Sequence, residues 1–394
     1  MARRTLLTAL IALLCGAPAV AAQELTVYSS LPLQGASEAQ TAAIVAGARR
    51  ALSDAGGQAG GRPIRYVSLD DSTAQAGTWT PKAVSRNARR AARDPSAIAY
   101  LGEFNSGASA ISLPILNVAG LLQVSPSNTA VGLTTNAPGA DAGEPEKYYP
   151  TGKRNYGRVV PTDVVQGRAG AALLKQLGAK RVVVFHDREV YGRGVARVAA
   201  RTLRKRGVRV IAVRGINPRA ISYRRLARLA RRADGVYFGG ITANNAVQLF
   251  KDVTRANRRA VKVGSDGIAD SRFADPSQGG IPRSVARRTY VTVATLDPAA
   301  YPPAGQALLA SLGPNTDPYA LYGYEAMAVI LDSINRGGPT RAGALAAFFA
   351  TRDRDSVLGR YSIDQNGDTT LTQYGAYRIR GGALRFDRAV DAGP

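Results

Sequence analysis

Hydroxyl side chains follow two neighbouring apolar runs between residues 97 and 129. Ser106 comes after the strand-length run 97–101, and the polar segment 127–129 comes after a second run, 121–124. Apolar residues recur with helical spacing over 108–118, so the three pieces form a strand, helix, strand unit. The strands of such a unit are parallel, and we expect the hydroxyls at one sheet edge, beside helix N–H groups that favour a carboxylate. The alternative is that Ser106 only caps the helix and that 127–129 form an ordinary turn.

Three further polar side chains, Tyr191, Thr242 and Asp266, follow the ends of other predicted strands. With the hydroxyls they supply hydrogen-bond partners and a carboxylate, but no evident pair of nucleophile and base. No glycine-rich dinucleotide or phosphate loop and no GxSxG motif is present. The single histidine, His186, and the single cysteine, Cys15, exclude thiolate metal sites and multi-histidine chemistry. We therefore predict a binding protein without cofactor or metal, and not an enzyme.

The first 22 residues have the pattern of an export signal. Two arginines precede a short apolar core, 6–14, and small residues lead to a cleavage site near Ala22. The apolar core is too short to span a bilayer. Cys15 lies inside the segment, and the large Leu14 before it argues against a lipid anchor. The sequence predicts an exported protein of the periplasm or cell envelope.

The charge is strongly positive, with 52 Lys and Arg against 28 Asp and Glu and a formal net charge of +24. Much of it lies in 193–232, where arginines interleave with valines and leucines at helical spacing, as on the solvated faces of amphipathic helices. Nucleic-acid binding would require a recognisable fold or stacking aromatic residues among the basic ones. Neither is visible, so we predict no nucleic-acid partner.

Strand and helix patterns alternate twice along the chain, which predicts an α/β protein with two doubly wound parallel-sheet lobes. We assign 23–157 and 291–356 to lobe 1, and 158–290 and 357–394 to lobe 2. The chain would then cross between the lobes several times. Several crossings form a hinge, which lets two lobes close on a ligand.

Eight motifs in order resemble the periplasmic solute-binding proteins of branched-chain amino acid ABC transporters, the leucine/isoleucine/valine-binding family. The likeness extends over nearly the whole chain after residue 22, and the strongest motifs are HDREVYG and SPSNT. The eight motifs are SLPLQG, GARRALSDAGGQAGGRPIRYVSLDD, YLGEFNSG, LLQVSPSNT, RVVPTDVVQG, VVFHDREVYGRGVA, GVYFGG and VGSDG.

The resemblance implies a role for individual residues. In that family a serine after the third strand and the turn after the fourth hold the ligand's α-carboxylate. The matching positions here are Ser106, Ser127, Asn128 and Thr129. The family's acidic partner of the ammonium group falls on Asp266, where many relatives have glutamate, and its cleft tyrosine falls on Tyr191; the alternative for Tyr191 is packing at the start of its own helix.

Two departures from the family pattern affect the side-chain pocket. Relatives often place an aromatic residue after the paired glycines, where this chain has Ile241 and Thr242. Relatives also often have an aromatic residue before the first long helix, where a loose alignment places Gln40. The ligand's side chain is therefore left open. The stretch 131–156, which has no periodicity, is longer than the family pattern and is predicted to be a surface loop or linker.

Together these features predict capture of a small amino-acid-like zwitterion in a cleft between two lobes. The resemblance implies delivery to an ABC permease and its ATPase subunits in the membrane. An extracellular ligand sensor that passes closure to a signalling partner is the main alternative. A hydrolase that uses Asp266 and Tyr191 is a more distant one.

Overall fold

The computed structural model describes residues 23–392, in which strands and helices alternate along most of the chain. The predicted signal peptide, 1–22, lies outside the described residues. Two separate sheets, both mainly parallel, confirm the predicted α/β class. Over residues 23–392 we find no helix with the length and apolar character that a membrane crossing requires.

The first sheet is built from the N-terminal part of the chain, in the order β2-β3-β1-β6-β7-β8. All its pairs are parallel except β2 with β3, and β4 and β5 form a small antiparallel hairpin beside it. Its strands and the hairpin are β1 (Leu25–Leu31), β2 (Gln58–Ala59), β3 (Arg62–Asp70), β4 (Ser72–Thr73), β5 (Thr78–Trp79), β6 (Ala97–Gly102), β7 (Leu122–Ser125) and β8 (Tyr156–Arg158).

The second sheet has the order β10-β9-β11-β12-β13-β14-β15. Its pairs are parallel as far as β13, and the last two strands join in antiparallel fashion. Its strands are β9 (Arg181–His186), β10 (Arg209–Gly215), β11 (Gly235–Gly239), β12 (Val261–Gly264), β13 (Thr289–Val293), β14 (Tyr374–Arg380) and β15 (Ala383–Val390).

Helices cover both sheets. On the first sheet α1, α11 and α12 pack together as one group, and α2 and α3 as another. The α-helices are α1 (Glu38–Asp54), α2 (Pro81–Arg93), α3 (Ser106–Val118), α4 (Asp163–Gln176), α5 (Val190–Lys205), α6 (Arg224–Ala227), α7 (Ala246–Ala256), α8 (Ser271–Ala274), α9 (Arg283–Ala286), α10 (Pro303–Leu312), α11 (Tyr319–Gly337) and α12 (Arg341–Phe349).

Local chemistry explains several of these boundaries. At the start of α2 the Thr80 hydroxyl accepts a hydrogen bond from the Ala83 N–H at 3.3 Å, and Pro81 occupies the first helical position. At α4, by contrast, the spacing of Asp163 and Gln166 predicts a capping box with Asp163 as the N-cap, and this prediction is wrong. Thr162 occupies the N-cap without a side-chain bond, Asp163 is the first helical residue, and its N–H donates to the Thr129 carbonyl at 2.7 Å.

The chain passes between the sheets three times. It leaves the first sheet after β8, returns to it after β13 with α11 and α12, and re-enters the second sheet at β14. Glycines allow α11 to approach α1 closely: a Cβ at Gly47 would lie 2.0 Å from the Ala320 carbonyl oxygen, and one at Gly323 would lie 2.1 Å from that of Ile44. The return to the first sheet therefore depends on two residues without side chains.

Some predicted elements differ in the structure. The paired valines at 159–160 predict a short strand, but the strand in the structure is β8 at Tyr156–Arg158. The apolar run 361–363 also predicts a strand, and in the structure it forms only two isolated bridges. The boundary between lobes at 290/291 stays a prediction. It falls inside β13, which pairs with second-sheet strands on both sides.

The stretch 131–156 is packed against the protein and is not an extended linker. It forms two 3₁₀ turns, 131–133 and 146–148, and buries Tyr148 and Tyr149 in a small cluster with Leu113 of α3. Tyr148 and Tyr149 therefore attach the segment to α3 by apolar contacts, although the segment has no periodic apolar pattern in the sequence.

Candidate functional site

A cleft between the two sheets is lined by residues from both sides. It contains about 570 Å³ of empty space, part of it open to solvent. It follows the carboxyl ends of parallel strands of both sheets, which is where α/β sheets bind ligands. Seven of the nine residues predicted to bind ligand line this cleft: Gln40, Ser106, Ser127, Thr129, Tyr191, Ile241 and Asp266.

The first-sheet wall is formed by the start of α3 and the turn after β7. Asn105 stands at the N-cap of α3, so the alternative that Ser106 merely caps the helix is wrong. The Ser106 Oγ accepts from the Ala130 N–H at 3.3 Å, and its own proton remains available to a ligand. The Ser127 hydroxyl instead donates to the Phe104 carbonyl at 2.9 Å. Ser106 is therefore the better donor to an anion beside the N–H groups of the helix.

Asn128 lies behind this wall and does not line the cleft. Its side chain is fully buried, and its Nδ2 donates to the carbonyls of Glu103 at 3.0 Å and Phe104 at 2.8 Å. Its Oδ1 accepts from the Ser109 hydroxyl. These bonds fix the turn that presents Ser127 and Thr129, so the structure gives Asn128 a positioning role where we predicted a ligand contact.

The second-sheet wall centres on Asp266, which directly follows β12 and Ser265. Its Oδ1 accepts a hydrogen bond from the Tyr191 hydroxyl. Its Oδ2 is buried and has no hydrogen-bond partner among the described residues. Burial raises the pKa of Asp266 to about 6, although the Tyr191 hydroxyl opposes the rise. An ammonium group at Oδ2 would supply the missing partner.

A second buried acid, Asp163, stands close to Asp266 and was missed as a site residue. Neither carboxylate oxygen of Asp163 has a hydrogen-bond partner in the described chain. Burial and the Asp266 charge raise its pKa, and the Thr129 hydroxyl lowers it by less. Asp163 therefore lies near Thr129 of one wall and Asp266 of the other, but it does not itself line the cleft. The position of Asp163 at the start of a predicted helix favours a capping role when only the sequence is considered.

Ile241 and Thr242 follow the paired glycines after β11 but differ in position. Ile241 lines the cleft. The Thr242 hydroxyl donates to Asp270 at 2.5 Å, and Thr242 is buried outside the lining. Thr242 therefore stabilises the start of α8, where Asp270 also caps the Phe273 N–H, and it does not face a ligand.

Gln40 joins the two walls. It lies on α1, on the first-sheet side, and its Nε2 donates to the carbonyl oxygen of Ala269 on the second-sheet side at 3.1 Å. This is a direct hydrogen bond between the two halves at the edge of the cleft. The loose sequence alignment placed Gln40 correctly at the cleft.

Three further aromatic side chains and one acid also line the cleft, and they were not predicted from the sequence. Trp79 comes from the β4–β5 hairpin, Phe104 precedes α3, and Tyr319 begins α11. The rings of Phe104 and Tyr319 meet edge to face, with centroids 6.0 Å apart. Glu189 lies in the HDREVYG motif directly before α5, so the motif was a signal for it. No cluster of metal ligands occurs in residues 23–392.

The profile of the periplasmic binding protein family matches residues 29–383. The chain belongs to this family. An amino acid binding protein of Pseudomonas aeruginosa is 25% identical over 84% of this chain and 83% of its own length. The Leu/Ile/Val-binding protein BraC3 of Rhizobium johnstonii is 26% identical over 98% of this chain and 99% of its own length.

Among solved structures, a leucine-binding protein of Thermotoga maritima has the same fold, with a TM-score of 0.76 and 22% identity over 93% of this chain and 99% of that one. These findings confirm the predicted resemblance and the two-sheet architecture of a type I periplasmic binding protein. They also confirm the prediction that the chain is a binding protein and not an enzyme. Periplasmic binding proteins are exported, which agrees with the predicted localisation at that coarse level.

The cleft of this periplasmic binding protein has aromatic residues outside the two positions noted in its sequence. Ile241 and Gln40 stand where relatives often have aromatic residues. Here Trp79, Phe104 and Tyr319 bring aromatic surface to the cleft from other elements. The cleft therefore has aromatic lining residues at positions other than 40 and 241, and Glu189 lines it as well.

Proposed function

We propose that this protein captures a small amino-acid-like ligand in the cleft between its lobes and delivers it to an ABC permease. Ser106 and the N–H groups of α3 would bind the ligand's carboxylate. Asp266, oriented by Tyr191, would bind its ammonium group. Ser127, Thr129 and the remaining lining would complete the pocket.

The observation that carries this proposal is the pairing of two opposite kinds of polar group in one cleft. On one wall, the Ser106 hydroxyl accepts a bond but donates none to the described residues, and it lies at the start of α3, where helix N–H groups favour an anion. On the other, the Asp266 Oδ2 is buried without a partner among residues 23–392. A zwitterion satisfies both walls at once, because a buried charge without a partner is costly.

The magnitudes are sufficient for transport. Hydrogen bonds to charged groups contribute roughly 1.5 to 3 kcal/mol each. Several of them at the two ends of a zwitterion give about 8 kcal/mol, a micromolar Kd, after the cost of ordering the partners. Closure of the lobes, 23–157 with 291–356 and 158–290 with 357–394, would exclude water and strengthen each bond.

A permease and an ATPase in the membrane are the partners that this role requires. The names of the relatives support the binding step. The delivery step rests on the family resemblance. Cleavage of the signal peptide near Ala22 rests on the sequence pattern of residues 1–22.

Substitution of Asp266 tests the binding step. A calorimetric screen of the natural amino acids should find at least one micromolar ligand for the wild-type protein. Asp266→Ala should weaken that ligand roughly 100-fold or more, because it removes the partner of a buried charge. The Tm should stay nearly unchanged, since the removed carboxylate costs burial energy in the free protein.

The exposed Asp355 offers a matched control, because its side chain is 86% exposed. Asp355→Ala should leave the affinity unchanged. Wild-type affinity in Asp266→Ala, or no binding of any amino acid by the wild-type protein, contradicts the proposed function.

A further inference from the structure

The charge balance of the cleft departs from that of the whole protein. The chain carries a formal net charge of +24. The described residues that line the cleft nevertheless include two carboxylates, Asp266 and Glu189, and no lysine or arginine. A simple zwitterion brings one ammonium group and one carboxylate. The ammonium satisfies Asp266 and the carboxylate goes to α3, so Glu189 is left without a counterpart.

Glu189 has no partner of its own in the described chain. It precedes α5 without a side-chain capping bond; its backbone N–H donates to the Asp187 carboxylate at 3.1 Å, and its carbonyl accepts from the Arg193 N–H at 2.9 Å. No cation lies within ion-pair distance of it among residues 23–392; Arg193, on the next turn, is held by Asp141. Burial and the nearby Asp187 raise the pKa of Glu189, and Arg193 lowers it by less. Its carboxylate therefore makes neither a capping hydrogen bond nor a close ion pair with the described residues.

The Glu189 carboxylate and the Trp79 ring both lie close to the backbone at position 107. A Cβ at Gly107 would lie 2.9 Å from Trp79 Cζ2 and 3.3 Å from Glu189 Oε2. Gly107 is the second residue of α3, directly after the donor Ser106. The acid and the indole thus lie close to the start of α3 and line the same cleft.

A carboxylate next to aromatic rings is a typical recognition surface for a cation. A cationic group can pair with the acid and also be attracted by the faces of Trp79 and Tyr319. An aliphatic side chain would cover Glu189 without offering it a hydrogen bond, which costs free energy. The buried Asn105 Oδ1, which has no partner in the described residues, is a further acceptor in the lining.

We propose that the ligand is an amino acid whose side chain carries a positive charge, an amine or a guanidinium, and that Glu189 selects it. This inference rests on the proposed function, since Asp266 and α3 hold the two ends of the amino acid. Glu189 is then a specificity-determining residue, and the leucine-type ligands named for relatives would bind poorly.

The experiment compares arginine with citrulline, which has nearly the same shape but a neutral urea group, by calorimetry. The wild-type protein should bind arginine roughly tenfold more tightly or better, from the charge-assisted hydrogen bond to Glu189. Glu189→Gln should remove that preference and change the affinity for citrulline by about twofold at most. Glu146→Gln, which neutralises an exposed acid elsewhere, should keep the wild-type preference. Lysine against norleucine repeats the test for an amine.

The outcomes separate this inference from the proposed function. If the wild-type protein binds amino acids through Asp266 but favours leucine or norleucine, or does not distinguish arginine from citrulline, the cation inference is overturned and the proposed function stands. A preference that persists in Glu189→Gln overturns the role of Glu189. If no amino acid binds, both proposals fail.

Discussion

The two walls of the cleft solve the problem of binding opposite charges in different ways. The α3 wall consists of neutral donors whose side chains are already held by the backbone, as when Ser106 accepts from the Ala130 N–H and Ser127 donates to Phe104. The Asp266 wall presents a buried acid whose Oδ2 lacks a partner in the described chain, and a second buried acid without partners, Asp163, lies close to it. The first wall is preorganised at little cost. The second wall is costly until a cation arrives.

This difference predicts that low pH weakens ligand binding at the Asp266 wall and leaves binding at the α3 wall unchanged. The pKa of Asp266 is raised to about 6 by burial, and an ammonium beside it would lower that pKa in the complex. Protonation therefore competes with the ligand below about pH 6, and the affinity should fall roughly tenfold per pH unit, about 100-fold between pH 7 and pH 4. Calorimetry over this range is the measurement. Asp163 and the tyrosines that interact with Asp266 all have raised pKa values; these tyrosines are Tyr191, Tyr237, Tyr319, Tyr322 and Tyr374.

The stability of the free protein should change in the opposite direction. Because the folded pKa of Asp266 lies above its ordinary value of 3.8, this group makes the free fold less stable as the pH rises from 3.8 to about 6. The ligand should remove that penalty. An affinity that stays constant from pH 7 to pH 4 would show that Asp266 does not meet a charged group.

Removal of a single hydroxyl tests the neutral wall. Ser106→Ala should weaken the ligand roughly tenfold, because the free O–H donates to the ligand's carboxylate. It should also lower the Tm slightly, since the Ala130 N–H loses its acceptor. Calorimetry and thermal unfolding check both effects, and the decline in affinity below pH 6 should be the same as in the wild type.

Ser127→Ala is the matched control for this prediction. The Ser127 hydroxyl already donates to Phe104, so its loss should change stability more than affinity. Equal losses of affinity in the two serine variants would mean that the structure does not distinguish their roles.

The sequence predicted the neutral wall more completely than the aromatic lining, and the reason is physical. Ser106 and 127–129 follow apolar runs that mark β6 and β7, and parallel strands bring their ends together. Trp79 and Tyr319 reach the same cleft through a small hairpin and a return of the chain after β13. Such long-range placement leaves no local pattern in the sequence.

The acid wall was predicted only in part. Asp266 was assigned through the family resemblance, whereas Asp163 was interpreted as a helix cap because acids are common at that position. In the structure both carboxylate oxygens of Asp163 are buried without a partner in the described chain, so this side chain does not cap the helix. The spacing of residues in the sequence does not show whether an individual acid is buried. Asn128 and Thr242 were predicted to contact the ligand, but in the structure their side chains hydrogen-bond to neighbouring protein groups and hold the local backbone in place.

The segment 131–156, whose role the sequence left open, links the elements of the two sheets outside the cleft. Its Asp141 carboxylate pairs with Arg193 and with Arg197, at 2.5 Å for Arg197, and both arginines lie on α5 over the second sheet. The segment itself packs on α3 of the first sheet. We expect these ion pairs to favour contact between the two sides, in addition to the Gln40 bond.

Asp141→Asn should therefore speed ligand release, and by less than either wall substitution. The side chains are partly exposed, so the two pairs together contribute about 0.5 to 1 kcal/mol, which corresponds to a two- to fivefold faster dissociation rate in stopped-flow measurements. High salt should reduce the difference, because it screens exposed charges. Asp54→Asn, which breaks the Arg50–Asp54 pair within α1, should leave the release rate unchanged. If the two variants release ligand equally fast, the ion pairs of Asp141 do not hold the lobes together, and the cleft walls alone set the lifetime of the complex.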